Sequence, residues 1–448
     1  RKGTHIMKMA NLMAPLFLFC FAAVHSISIY KASEFRTLKK TVENGKLYDI
    51  KAPDETRILE LHIYGSAYER GLAQGQLLGE TISDFMVDGL NDYFKAEVDQ
   101  IPLGKLPKWI QDKIKALGKD LAPEAFHLAL EYVYLRQEKF IRETQGHVFD
   151  ETDGIAVGMC QVANQTIPMC KDVNQAKRYV RVMNMLPELV RMQCSMMGAW
   201  GDATVDGKLV QMRTLDFGGG PFANNSVVIV HHPTDTNIAY ASLGFPGVVG
   251  VVTGLSEKIA QCEKVDDLAG GGNPKGSYAG VADVFVIRDM LQHASTKEEA
   301  LAIAQNAKRT WGVWLGIGDY SSQEFLAMDY QQAHATAYDD KSLPSRTNQS
   351  GFKNVAYIDK HPQPSVHPEL PNLVKKFYGN ITAPNVVKNF PLQTQSGDVH
   401  IAIYDLGQNN VFFSTGITDA SGTNYIRKAY ESPFLQFDIE SLWSESKP

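Results

Sequence analysis

Hydrophobic and polar positions follow two styles along the chain. From Ala67 to Gln193 apolar residues recur at helical spacing. YERGLAQGQLLGETISDFMVDGLNDYF puts Leu72, Leu77, Ile82, Phe85, Leu90 and Phe94 on one helical face. KWIQDKIKALGKDL and PEAFHLALEYVYLRQEKFI continue the style, the second with Pro123 suited to a first helical turn. Met-rich YVRVMNMLPELVRMQ then leads up to Cys194. Beyond Cys194 the pattern turns into short β-rich runs: CSMMGAW, KLVQMRTLDF, SVVIVHH, IAYASL and VVGVVT. Asp206-Gly207 is a hairpin-turn signal between the first two. A helical pair follows in VADVFVIRDMLQHA and TKEEALAIAQNA, with Ser295 and Thr296 as cap candidates. Strands resume in WGVWLGIGDY, EFLAMDY and HATAY, and end with HIAIYDL and NNVFFSTG around the Gly407–Asn410 break. Strands, helices and strands again predict an α+β layered domain.

The chain of 448 residues is 44% hydrophobic and 21% charged, ordinary values for a globular protein. A formal charge of −6 gives no footing for nucleic acid. RKGTHI, ahead of Met7, reads as tag-like sequence. MKMANLMAPLFLFCFAAVHS then carries Lys8, an apolar run from Leu12 to Val24 and a small Ser26, the pattern of a cleaved signal peptide. Its apolar run is shorter than the ~20 residues that a spanning helix needs. Of five cysteines, Cys20 is expected to leave with the signal, so Cys160, Cys170, Cys194 and Cys262 remain. Cys160 and Cys170 are the nearest pair, but spacing leaves the connectivity open. Sequons at Asn164, Asn224, Asn348 and Asn380 accord with a secretory route.

Several standard sites are absent: no G-x-S-x-G, H-E-x-x-H, paired C-x-x-C or G-x-x-x-x-G-K occurs. What stands out is the passage from helical to β pattern at Cys194. A cysteine that becomes a chain's first residue carries its own general base, because a free α-amine titrates at about 7.7–8.0. Cleavage of Gln193–Cys194 creates that arrangement without a partner histidine. The plainer reading of such a cysteine is a buried apolar residue or half of a disulfide.

RMQCSMMGAWGDATVDGKLVQMRTLDFGGG, residues 191–220, resembles the nucleophile hairpin of the N-terminal-nucleophile hydrolases that include isopenicillin-N acyltransferase, acid ceramidase, N-acylethanolamine acid amidase and bile-salt hydrolase. Their pattern is a Cys, a strand, a D-G turn and R-x-x-D, here Cys194, Asp206-Gly207, Arg213 and Asp216. GSAYERGLAQGQLL (65–78) and Glu151–Gly158 are similar to the family's propeptide blocks. GFPGVVGVVTGLSEK (244–258) resembles its glycine-rich strand pair. The sequence departs from the family in a Cys-to-Arg interval of 19 residues, a few longer than in the ceramidase-type members, and in Gln74 and Ser256, where His and Asn are frequent.

The resemblance implies an αββα four-layer fold, with residues 1–26 as tag-like sequence plus signal, 27–193 as a helix-rich α-chain or propeptide, and 194–448 as the β-chain. It implies a lumenal, secreted or lysosomal amidohydrolase acting on a non-peptide N-acyl amide, ceramide-like or another N-acyl amine, through a thioester. Arg213 would lie beside the thiolate and Asp216 would hold the α-amine. Positions three apart on a regular strand face opposite sides, so their side chains converge only if the backbone bends. Asn348, in Arg346-Thr347-Asn348, would supply the oxyanion donor, and it is also a sequon. Arg427 would be an accessory cation. His361 and His400 read as structural, and Trp200, Tyr278, Trp311 and Trp314 as packing rather than an acyl pocket. No cofactor and no metal is expected. The expected partners are a small acylated amide or lipid and the two chains of one precursor; a transient membrane-surface contact stays open. Acyltransfer, phospholipase B-type ester hydrolysis and a catalytically silent lumenal binding role are the alternatives.

Overall fold

The computed structural model describes residues 27–97, 106–117, 121–163, 167–190, 193–218, 220–236, 238–265, 277–310, 312–343, 351–363, 365–419, 422 and 424–448. The chain opens with strands β1 (Ile29–Lys31), β2 (Arg36–Val42), β3 (Gly45–Lys51) and β4 (Arg57–Gly65). Helices α1 (Ala67–Ser83), α2 (Leu90–Glu97), α3 (Lys108–Leu117), α4 (Ala122–Thr144), α5 (Gly146–Val162) and α6 (Val173–Met183) follow. Then come β5 (Gln193–Ala199), β6 (Val210–Asp216), β7 (Val227–Pro233), β8 (Tyr240–Gly244), β9 (Thr253–Ser256) and β10 (Ile259–Val265). Helices α7 (Asp283–His293) and α8 (Lys297–Asn306) precede β11 (Val313–Asp319), β12 (Glu324–Tyr330), β13 (Ala335–Tyr338) and β14 (Val355–Ile358). The remainder is α9 (Glu369–Phe377), α10 (Ala383–Thr394), β15 (His400–Asp405), β16 (Asn410–Thr415), β17 (Ile417–Thr418), β18 (Tyr425–Arg427), β19 (Phe434–Asp438) and α11 (Ile439–Ser444).

Two large sheets form. One runs β1-β19-β16-β15-β6-β5-β14, the other β13-β12-β11-β10-β9-β8-β7-β4-β3-β2. Alternating side chains sort into three cores. Met196, Val228, Val230, Leu243, Cys262, Ala402 and Leu435 fill the space between the sheets. Leu61, Ile63, Ile229 and Leu315 pack against Leu77, Ile155, Val180 and Ile287 on the helical side of the larger sheet. Met197, Met212, Ile401 and Ile403 meet Leu373, Val374, Val386 and Phe390 on the far side of the smaller one. The order is helix, sheet, sheet, helix: an α+β fold of αββα layers, as expected.

Residues 27–65 are strands rather than helices, apart from one 3-10 turn at Ala32–Glu34. Their four strands join both sheets, with β1 parallel to β19 and β4 parallel to β7. A cut before Cys194 would therefore leave two chains sharing both sheets. VVGVVT differs as well: only Thr253 is in a strand. Asn184 Oδ1 accepts from the Val249 amide at 2.8 Å, and the Val251 amide donates to Val284 of α7 at 3.0 Å. With their polar groups spent there, these residues have no ladder to join.

The two upstream blocks have a packing role. Ser66 and Glu69 cap α1 reciprocally. A Cβ on Gly71 or Gly75 would come within 2.0 or 2.3 Å of the Glu151 or Ile155 carbonyl oxygen, and one on Gly158 within 2.3 Å of that of Leu72. Only glycine lets α1 and α5 approach so closely. The same helices bring Arg70 and Glu151 together with Arg288 of α7: all three are buried, with Arg288 Nη2 2.5 Å and Arg70 Nε 3.5 Å from Glu151 Oε2.

Candidate active site

Cys194 is the first inward-facing residue of β5, a strand bracketed by β6 and β14. The β5–β6 register sets Gln193 opposite Asp216, Cys194 opposite Leu215 and Met196 opposite Arg213. Cys194, Met196 and Arg213 thus share the face toward the larger sheet, where Met196 Sδ lies 3.8 Å from Cys262 Sγ. Between β5 and β6 the chain makes a ten-residue excursion, 200–209, rather than a tight hairpin, which accounts for the long Cys-to-Arg interval. Gly207 takes φ +73° there.

Arg213 is fully buried, and its nearest acidic partner is Glu263 of β10, at 3.5 Å. Lys264 beside it donates to the Val265 carbonyl at 2.9 Å. Burial pushes the Cys194 thiol well above its ordinary value; Arg213 opposes that shift and Glu263 and Asp216 add to it. Burial also lifts the Glu263 carboxyl to about 7, against the pull of Arg213 and Lys264. Asp283 is raised by burial first and then by Glu263 and Glu188. His400 stands opposite Leu215 on the same face, bonds Thr253 Oγ1 at 2.9 Å and is held neutral by burial and Arg213.

Asp216 departs from the convergent arrangement. The strand stays regular through it, so its side chain takes the opposite face from Arg213. It accepts from Ser396 Oγ at 2.5 Å and from the Gly397 amide at 2.7 Å. Burial raises its carboxyl, with Ser396, Lys360 and Gly397 pulling it down. It still stands one strand spacing from the Gln193 backbone, beside the bond expected to be cut.

The remaining expectations divide. Gln193 is exposed at the head of β5. Asn348 and Trp311 lie outside the described residues, as do Asn164 and residues 1–26. Arg427 is not brought to Cys194: its hydrogen bonds run to the Asp54 carbonyl and Thr56 Oγ1, both at 3.4 Å. Trp200 and Trp314 pack between the sheets, and Tyr278 on the helical side. His361 stacks on His367. Gln74 is buried and accepts from the Gly247 amide at 3.2 Å, while Ser256 caps the β9–β10 turn. Cys160 and Cys170 form a disulfide, leaving Cys194 and Cys262 as thiols. Glu263 was missed in the sequence. Its signal is two charges, Glu263 and Lys264, inside the run IAQCEKV, whose other polar residue is Gln261.

Among the described residues no group of three His, Cys, Asp or Glu could hold a metal, and no helix is long and apolar enough to cross a membrane.

No protein-family model matches the chain. It is 32% identical over 435 residues to protein dcd1A of Dictyostelium discoideum, covering 92% of each chain. It is 31% identical over 424 residues to protein dcd1B of the same organism, covering 90% of this chain and 78% of that one. Among solved structures it is similar to a Caenorhabditis elegans N-acylethanolamine-hydrolyzing acid amidase ortholog: 14% identity, 48% of this chain, 93% of the other, TM-score 0.35. Penicillin V acylase from Agrobacterium tumefaciens matches at 10% identity, 56% and 89% coverage and TM-score 0.36. A conjugated bile acid hydrolase variant from Clostridium perfringens matches at 10%, 57% and 90%, with TM-score 0.23. Likenesses this distant assign no reaction.

Proposed function

This chain belongs to the same family as the Dictyostelium discoideum proteins dcd1A and dcd1B, and we propose that it is a self-processing amidohydrolase whose nucleophile is Cys194. The observation that carries this reading is one constellation. A free cysteine stands second in β5, the strand inside edge strand β14, with Arg213 of the neighbouring β6 on the same face and Glu263 3.5 Å from that arginine. The disulfide supports an oxidising, lumenal compartment.

Maturation starts when the Cys194 thiol attacks the Gln193 carbonyl and the C–N bond breaks. The acyl group moves to sulfur and the nitrogen takes a proton. Water then hydrolyses the thioester, leaving the Gln193 carboxylate and a free α-amine on Cys194. In the mature enzyme that amine accepts the thiol proton as the sulfur attacks the carbonyl of an N-acyl amide. The same proton leaves with the amine, and water releases the acid from the thioester. Arg213 favours the thiolate. Below about 7 Glu263 gains a proton and no longer neutralises Arg213, while the α-amine, ordinarily at about 7.7–8.0, becomes protonated, so the two effects of acid oppose each other. The amide Nδ2 of Asn348 is assigned to the oxyanion, where one donor contributes roughly 3–4 kcal/mol. The substrate proposed is a small acylated amine, lipid included, the class that the resemblance of residues 191–220 implies. A silent binding protein is the second reading, favoured by the complete burial of Cys194 in the continuous chain.

Purified protein incubated from pH 4 to 8 and read by intact mass and N-terminal sequencing tests this. A new N-terminus at Cys194 in the wild type, absent in Cys194→Ala, is the expected result. A chain intact at every pH with an unreactive Cys194 refutes self-processing and leaves the silent reading.

A further inference from the structure

On the outer face of β5 and β6, directly behind the nucleophile, lies a buried set of hydroxyls that the chemistry above does not use. Ser396, in the turn between α10 and β15, donates to Asp216 Oδ2 at 2.5 Å. Its single proton is spent there, so the other hydroxyls around it act as donors to it. They are Thr214 Oγ1 at 2.6 Å and Ser195 Oγ at 2.9 Å. Thr214 Oγ1 in turn accepts from the Ser195 amide at 3.0 Å. Ser396 and Thr214 are fully buried, and Ser195 and Asp216 nearly so. Three hydroxyls and a carboxylate are costly to bury unless every one is bonded. Here the bonding converges on one carboxylate, one strand spacing from the Gln193 backbone.

Ser195 is the residue after the nucleophile. The network therefore holds two things at once: the strand that carries the scissile bond and the carboxylate beside it. We infer that Ser396 is a positioning residue for maturation, aiming the Asp216 carboxylate at the nitrogen released from Gln193 and setting the pH range in which the chain is cut. The inference rests on the self-processing reading. Its logic is that an α-ammonium forming on Cys194 needs an ionised partner already in place, and Ser396 stabilises the ionised form.

The other titratable groups around Asp216 are Lys360 from the segment after β14, Asp398 beyond Gly397, and the neutral Tyr425 of β18. Lys428 pairs with Asp398 at 3.2 Å, and Cys194 approaches from the far face. None of these replaces the Ser396 proton. Without it the Asp216 carboxyl, already raised by burial, rises further.

The test is the rate of cleavage at Gln193–Cys194 against pH, by intact mass, for wild type, Ser396→Ala, Ser396→Thr and Ser195→Ala, each checked for folding by thermal melting. Loss of a hydrogen bond to a charged group predicts cleavage by Ser396→Ala slowed about tenfold to a hundredfold near pH 5. Its acid limb should move up by about one pH unit. Ser396→Thr, which keeps the hydroxyl, should restore the wild-type profile, and Ser195→Ala should shift it the same way by less. A folded Ser396→Ala with the wild-type pH profile overturns the inference. So does an unmoved profile in Ser195→Ala if Ser396→Ala does not fold. An uncut wild type at every pH overturns self-processing instead.

Discussion

Glu263 links the site to the stability of the whole chain, and Glu263→Gln reads that link. The carboxyl is fully buried and lifted to about 7, chiefly by desolvation, with Arg213 and Lys264 pulling the other way. In the unfolded chain a glutamate titrates near 4.3. A group raised on folding adds stability that is fully present below its unfolded value and is lost as pH rises through its folded value. The window is therefore pH 4.3 to 7, with the folded chain firmer on the acid side. At about 1.4 kcal/mol per tenfold in proton affinity, the rise corresponds to roughly 3–4 kcal/mol across that window. Gln mimics the protonated side chain. In a Cys194→Ala background, which keeps the chain whole, Glu263→Gln should match the parent at pH 4. It should be the more stable protein at pH 8, keeping most of the 3–4 kcal/mol that the parent loses. Asp283, raised by burial and by Glu263 itself, leaves a residual slope of the same sign. Thermal and urea unfolding at pH 4, 5, 6, 7 and 8 measures this. A variant whose stability runs parallel to the parent, or that is weakest at pH 8, refutes the reasoning. It would mean that the Arg213–Glu263 ion pair outweighs the desolvation it suffers.

Gly75→Ala places a methyl 2.3 Å from the Ile155 carbonyl oxygen and 2.6 Å from the Met159 amide, both rigid backbone. Overpacking of about 1–3 kcal/mol or more should outweigh a helical gain of about 1 kcal/mol. Gly146→Ala, at the start of the facing helix α5 with nothing within 4 Å, should be neutral or stabilising, and melting temperatures rank the two. Cys160→Ser opens the disulfide and should cost about 2–3 kcal/mol in thermal unfolding. It should leave cleavage at Gln193 intact, because both cysteines lie upstream of that bond. In protein from a secretory host, glycopeptide mass spectrometry should find Asn380 modified and Asn224 bare. Asn380 is exposed, whereas the Asn224 amide bonds the Thr418 amide at 2.9 Å and its carbonyl at 3.4 Å.

Where one periodicity was strong, the sequence announced the fold. Ala67–Ser83, the α7–α8 pair with Thr296 as cap, and strands β5 to β8, β11 to β13, β15 and β16 all carry a clear pattern. The failures have physical causes. β10 is buried on both faces, so IAQCEKV shows no polar alternation and its two charges carry no strand signal, though Glu263 is buried beside Arg213. Residues 248–252 are apolar enough for a strand, yet Asn184 and α7 take their backbone bonds. The G-x-x-x-G spacing in α1 resembled a propeptide signature; what it encodes physically is contact with α5.

The spacing of Arg213 and Asp216 is the most instructive case. Two side chains three apart on a strand point away from each other, and β6 does nothing to bend Arg213 and Asp216 together. A nucleophile of one kind would make that a defect. An N-terminal cysteine, however, presents two groups with different directions: a thiol on one face of the strand and a main-chain nitrogen in the plane of the sheet. The thiol calls for a cation on its own face, and Arg213 lies there with Glu263 behind it. The nitrogen calls for an acceptor reached across the ladder, and Asp216 stands opposite Gln193, anchored from the outer face by Ser396. A regular strand can serve both only if cation and carboxylate are an odd number of residues apart. Under the proposed self-processing, R-x-x-D is therefore what an unbent β6 requires, and moving the carboxylate to position 215 would place it among the apolar neighbours of Cys194 instead.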